Sequence, residues 1–145
     1  MSKRKVLFLR TGNSARSQIG EALLRTMAGD RFDVYSAGLD PKGVHPLTVA
    51  ALKEEGIDVS DAESTNVRDY LGKVVFDDLI SVCSHADTHC PDFPGVERRY
   101  HWPFDDPAAA TGSEENQLNE FRRVRDEIKA KLKLWLENPT LGLKA

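Results

Sequence analysis

Eight residues near the amino terminus, Arg10-Thr11-Gly12-Asn13-Ser14-Ala15-Arg16-Ser17, join a short apolar run to a stretch of helical period. A glycine-containing loop between a buried strand and a helix start aims several backbone N–H groups and the positive end of the helix dipole at one point, which suits an oxyanion. Arg16 adds a planar fork of charged donors that matches a tetrahedral anion in a way lysine would not. The same residues also make an ordinary turn with a solvated arginine, and local pattern leaves both readings open. Two cysteines, Cys83 and Cys90, lie seven positions apart, the first at a strand end and the second in a polar loop. A disulfide between them needs that loop to bend back, and an exposed, strained disulfide is a good substrate for a reducing partner. Against this, local pattern favours Cys83 as a small core residue and Cys90 as an incidental loop thiol. Cys83, His85, His89 and Cys90 also crowd together as a zinc set, but adjacent His89 and Cys90 are hard to aim at one ion, so no metal is expected. Asp106, before Pro107, reads locally as a turn residue.

These residues need elements to position them. Val6-Leu7-Phe8-Leu9 is a continuous apolar run of the kind found in a strand buried on both faces. Ile19, Leu23 and Met27 then recur at helical spacing, predicting a helix over 16–28 with Gly29 just beyond it. Phe32 to Ser36 reads as a second strand, and a helix from Pro46 stops at Gly56. A third strand is expected over Leu79 to Cys83 and a weak fourth over Val96 to Tyr100, with an exposed loop from Ser84 to Gly95. Leu118, Phe121, Val124, Ile128, Leu132 and Leu136 predict a long closing helix, N-capped by Ser113, whose charges from Arg122 to Lys133 read as a solvated face. Strands alternating with helices imply an α/β fold, a three-layer sandwich around a four-stranded parallel sheet, with the working site beyond the strands' carboxyl ends.

Composition limits the function. The 145 residues suit one domain, expected over 1–139, with 140–145 a frayed tail. Twenty basic against 23 acidic residues give a net charge of −3, so no positive field favours nucleic acid. No apolar run approaches the ~20 residues of a membrane span. Two cysteines are too few for a secreted disulfide framework, and a cytoplasmic monomer is expected.

The loop at 10–17 resembles the phosphate loop of the low-molecular-weight tyrosine phosphatase superfamily, in particular its thioredoxin-coupled arsenate reductase branch. The likeness continues through Ser36-Ala37-Gly38, Val44-His45-Pro46, Gly56-Ile57-Asp58-Val59-Ser60, Cys83, Cys90-Pro91, His101-Trp102, Asp105-Asp106-Pro107 and the run from Arg122 to Ile128, covering nearly the whole chain. It implies an oxyanion, arsenate or phosphate-like, held by Thr11, Gly12, Asn13, Ser14, Ala15, Arg16 and Ser17, with Asp106 as general acid. It also implies a relay in which arsenate joins a loop cysteine, Cys83 attacks that sulfur as arsenite leaves, Cys90 attacks Cys83, and thioredoxin reduces the Cys83–Cys90 disulfide. No tightly bound cofactor is implied; some branch members hold a monovalent cation near positions matching Asn13, Glu21 and Ser36.

One position departs from the pattern. Where the family carries its nucleophilic cysteine, this chain has Arg10. A guanidinium stays protonated and has no lone pair to offer, so it cannot attack the oxyanion. The chain as it stands is therefore expected to be inactive or severely impaired as a reductase. Two other readings share the fold: a non-catalytic oxyanion-binding module, and a tyrosine phosphatase, which needs the same missing thiolate.

Overall fold

The computed structural model describes residues 3–82 and 92–138. Four strands, β1 (Arg4–Leu9), β2 (Phe32–Ala37), β3 (Asp78–Ser81) and β4 (Arg98–His101), form one sheet in the order β2-β1-β3-β4, every pair parallel. β1 lies between two neighbours, so Val6, Leu7, Phe8 and Leu9 are all fully buried. Their side chains alternate between the faces, as the two-residue period of a strand requires. Val6 and Phe8 enter one cluster with Ile80 and Tyr100, and Leu7 and Leu9 enter another with Leu79, Phe76 and Phe93.

The helices α1 (Arg16–Ala28), α2 (Pro46–Lys53) and α3 (Glu114–Glu137) complete the regular structure among the described residues. Ile19, Leu23 and Leu24 of α1 and Val124, Ile128, Leu132 and Trp135 of α3 cover the Phe8 face. Gly20 lets α1 come this close, because a Cβ there would sit 2.7 Å from the Phe8 ring. The opposite layer contains the 3-10 turn Val67–Asp69 and edge-to-face aromatic pairs, with ring centroids 5.2 Å apart for Tyr35–Phe76 and 5.1 Å for Phe76–Phe93.

The expected strands and helices are present, with shifted ends. α2 stops at Lys53 and turns through Gly56 at φ +76, a left-handed position that suits glycine. β3 starts at Asp78 because two arginines neutralise that buried acid: Arg4 donates to it at 2.6 to 3.1 Å and Arg98 at 2.8 Å. The Ser113 hydroxyl accepts from the Asn116 amide at 3.1 Å, which makes the expected cap of α3. The charged face of α3 needs one correction. Arg125 is buried, and its guanidinium donates to the Ala51 carbonyl at 2.8 Å and to Glu54 at 2.9 Å, so it binds α3 to α2. Trp102 and Trp135 lie in the core, each 1% exposed. Residues 139–145 lie outside the described residues.

Candidate functional site

β1 ends at Leu9, and the chain turns at the carboxyl edge of the sheet before α1 begins at Arg16. The loop between them is fixed from outside, through its carbonyl groups. The Thr11 carbonyl accepts from the Asp40 amide at 2.9 Å, and that of Gly12 from Lys42 at 3.0 Å. The Asn13 carbonyl accepts from Ser64 Oγ at 2.8 Å and Gln18 Nε2 at 3.2 Å. The Ser14 carbonyl accepts from the His45 amide and from Thr48 Oγ1, both at 3.0 Å. In a trans peptide the carbonyl and the following N–H point in opposite directions. Turning these four carbonyls outward therefore turns the amides of Gly12, Asn13, Ser14 and Ala15 inward. Among the described residues those four amides donate to no backbone carbonyl.

Two further features fit an anion. Asn13 holds a left-handed conformation at φ 47, which asparagine tolerates better than most residues, and its Oδ1 accepts from Ser17 Oγ at 2.7 Å. Ala15, the N-cap of α1, has no side-chain acceptor and makes no cap hydrogen bond to the first turn, whose positive dipole end faces the loop. A close approach sets the loop's outer limit. A Cβ on Gly38 would meet the carbonyl oxygens of Arg10 and Thr11 at 2.5 Å, so only glycine lets β2's end pass beneath the loop.

The resulting concavity is lined by Arg10, Gly12, Asn13, Ser14, Ala15, Arg16 and Asp106. Thr11 and Ser17, also expected to bind the anion, are not among the lining residues. Arg16 is buried, and its Nη1 donates to the Phe104 carbonyl at 2.9 Å, which fixes the plane of its fork. Its Nη2 lies 3.6 Å from Asp106 Oδ2, and Nη2 of Arg10 lies 3.8 Å from the same oxygen. The other Asp106 oxygen accepts from the Ala108 amide at 3.0 Å, so a short 3-10 turn orients this carboxylate from behind. Arg10, Arg16 and Asp106, separated by up to 96 positions in the chain, thus meet at one place.

The remaining candidates divide. Cys83 and Cys90, and with them His85 and His89, lie outside the described residues. The last described residue before them, Val82, donates its amide to the Leu9 carbonyl at 3.3 Å, so β3 runs out at the edge where Arg10 stands. Asp105 points away and pairs with Arg123 at 3.2 Å. His45 is a cap, its Nδ1 accepting from the Leu47 amide at 3.0 Å, and His101 Nδ1 lies 3.2 Å from Ser81 Oγ. At the positions considered for a monovalent cation, Ser36 Oγ donates to Glu21, whose other oxygen lies 2.5 Å from the Arg25 guanidinium, and Asn13 Oδ1 accepts from Ser17 Oγ.

The braces at Asp40, Lys42, Thr48 and Ser64, which hold the candidate loop in shape, were not singled out in the sequence. No local periodicity marks them, because each acts through a bond to the loop's backbone.

The low molecular weight phosphotyrosine protein phosphatase family model matches residues 5–142. An arsenate reductase from Halalkalibacterium halodurans is 45% identical over 138 residues, which is 94% of this chain and 98% of that protein. Among solved structures, an arsenate reductase in its phosphate-binding state superposes with a TM-score of 0.77 at 29% identity, covering 92% of this chain and 97% of the other. A thioredoxin-dependent arsenate reductase from Corynebacterium glutamicum does so with a TM-score of 0.60 at 29% identity, covering 91% of this chain and 63% of that one.

Proposed function

The chain belongs to the low molecular weight phosphotyrosine protein phosphatase family, and from that premise we propose that it is an arsenate reductase scaffold whose first chemical step is blocked by Arg10. The single observation that carries the reading is the loop of inward-facing amides at 12–15 converging with the Arg16 fork. A small tetraoxo anion fits such donors, and relatives over nearly the full chain length are arsenate reductases.

Each residue then has a role. The loop amides and Arg16 hold arsenate by charge-assisted hydrogen bonds. Asp106, facing the concavity, delivers a proton to the departing oxygen. A thiolate at position 10 would displace that oxygen and form a sulfur–arsenic bond. Cys83 would then attack the sulfur, forming a disulfide with position 10 and leaving the sulfur–arsenic bonding pair on arsenic as arsenite departs, and Cys90 would attack Cys83, forming the Cys83–Cys90 disulfide and releasing the position-10 thiolate. Thioredoxin, the reductant of the C. glutamicum relative, returns that disulfide to two thiols. With arginine in place of the thiolate, the sulfur–arsenic bond cannot form and the relay has nothing to relieve.

The test is the Arg10→Cys variant, assayed for thioredoxin-dependent arsenite production beside the natural chain. Turnover by the variant with none above background in the natural chain supports the proposal. An Arg10→Cys protein that folds, binds phosphate and still makes no arsenite removes it. Phosphatase assays on the same variant address the tyrosine phosphatase alternative.

A further inference from the structure

Gln18 is the third residue of α1 and only 5% exposed. A glutamine at this place in a helix commonly turns its oxygen back to the amide of the N-cap residue. Gln18 turns its nitrogen instead. Nε2 donates to the Asn13 carbonyl at 3.2 Å and to the Glu63 carbonyl at 3.1 Å, and because both neighbours are acceptors only the nitrogen can face them. One side-chain amide thus spends both of its N–H bonds on backbone, one on the loop and one on the segment that follows α2. That segment is itself tied to the loop and its support. Ser64 Oγ donates to the same Asn13 carbonyl at 2.8 Å, and the Thr65 carbonyl accepts at 2.9 Å from the amide of Gly38, the residue that passes beneath Arg10 and Thr11. Two side chains from two elements therefore converge on one carbonyl, at the loop residue whose backbone is left-handed.

We propose that Gln18, together with Ser64, is a positioning residue for the oxyanion loop: the two hold the Asn13 carbonyl outward, so that the Ser14 N–H faces the concavity. The inference rests on the reading of the loop as an oxyanion site and assigns the aim of one of its donors to these side chains. A trans peptide points its N–H opposite to its carbonyl, so releasing this carbonyl releases the amide. A left-handed residue other than glycine persists where its surroundings over-determine it, and these two bonds supply that constraint. Donors held in place need no reorientation when the anion arrives. The requirement is for a donor at position 18. A carboxylate there keeps the shape of glutamine but has no N–H, so it repels both carbonyls and accepts from the loop's own amides, as a capping glutamate does.

The experiment is calorimetric titration of inorganic phosphate into the natural chain and into Arg10→Cys, each also carrying Gln18→Met, Gln18→Glu, Ser64→Ala or Ser64→Thr, with circular dichroism and chemical denaturation on every protein. In the parent that binds phosphate, Gln18→Met should weaken binding about tenfold, the scale of one misdirected hydrogen bond to an ion, and Ser64→Ala about threefold. Gln18→Glu should weaken it more than Gln18→Met does, and Ser64→Thr, which keeps the hydroxyl, should bind as the parent does. Thr26→Val, which removes a hydroxyl bonded to the Ala22 carbonyl within α1, is the control and should leave phosphate affinity unchanged. Side chains that merely brace the fold would lower the denaturation midpoint and spare the affinity of the folded protein. Unchanged phosphate affinity in folded Gln18→Met and Gln18→Glu, or in Ser64→Ala where those two do not fold, overturns the inference and leaves the loop intact as an oxyanion site. Absence of phosphate binding by both parents would instead remove the oxyanion reading, and the inference with it.

Discussion

The two ends of the parallel sheet carry the same three charges and use them differently. At the amino end, Asp78 is buried and accepts from Arg4 through both of its oxygens at 2.6 to 3.1 Å and from Arg98 at 2.8 Å. At the carboxyl end, Asp106 is a third exposed and lies 3.6 and 3.8 Å from Arg16 and Arg10. The first carboxylate is saturated by its arginines, so that cluster is a fastener joining β1, β3 and β4. The second carboxylate stands off from both arginines beside a concavity that all three residues line, so that cluster is the candidate site. Composition does not separate structure from function here; the gap of about an ångström between donors and acceptor does.

Replacing each aspartate by asparagine sets the two ends against each other, and the larger effect is expected at the amino end. Burial pushes the Asp78 carboxyl above its ordinary value against the pull of Arg4, so desolvation offsets part of the ion-pair gain. Asp78→Asn should therefore cost about 2 kcal/mol, below the figure for breaking a dry pair, and leave phosphate affinity of the folded protein unchanged. Asp106→Asn retains an oxygen for the Ala108 amide and should alter stability by less than about 0.5 kcal/mol while changing phosphate affinity. Chemical denaturation and phosphate titration on both variants measure the four quantities. Equal stability losses, or a phosphate effect from Asp78→Asn, would erase the distinction between fastener and site.

The next effect tests whether the carboxyl end depends on loop shape as well as charge. Gly38→Ala adds one carbon 2.5 Å from two carbonyl oxygens of the loop, and backbone on both sides leaves little room to yield. About 2 kcal/mol of stability should be lost, in the range of overpacked sites. Phosphate binding should weaken at least tenfold, because the carbonyls of Arg10 and Thr11 move and the neighbouring amides move with them. Gly20→Ala is the control away from the loop: it meets the Phe8 ring at 2.7 Å, so it should lower stability and spare phosphate affinity.

How far such features were readable beforehand depended on range. The apolar run at Val6 to Leu9, the three-and-four spacing of α1 and the Ser113 cap are local, and each predicted its element. The reading of the loop as an oxyanion site rested on the family resemblance, because the residue types at 10–17 suited an ordinary turn as well. The start of β3 at Asp78 was not legible, since an acid reads as a strand end until Arg4, 74 positions away, is known to neutralise it. Arg125 looked like one more solvent charge on an amphipathic helix, and only the Ala51 carbonyl, 74 positions away, shows that it faces inward. The outer braces of the loop were invisible for the same reason: the amides of Asp40 and Lys42 act through backbone, which has no residue code.

A third group of two arginines and a carboxylate, at the seam of α2 and α3, gives the smallest and most easily isolated effect. Glu54 accepts from Arg122 at 2.5 to 2.9 Å and from Arg125 at 2.9 Å. Hydrogen bonding from Arg122, then from Arg125, lowers its pKa from 4.5 to about 2. Because the folded-state value lies below the unfolded one, this pair's contribution is present above about pH 4.5 and is lost as pH falls toward 2. Glu54 is 36% exposed, so water screens the gain and the slope should be shallow. Arg122→Met should flatten the pH dependence of thermal midpoint between 4.5 and 2 without changing phosphate affinity at neutral pH. The seam would then group with the amino-end fastener; a phosphate effect from Arg122→Met would instead couple the helices to the loop, through His45 stacked on Phe121 with ring centroids 4.7 Å apart.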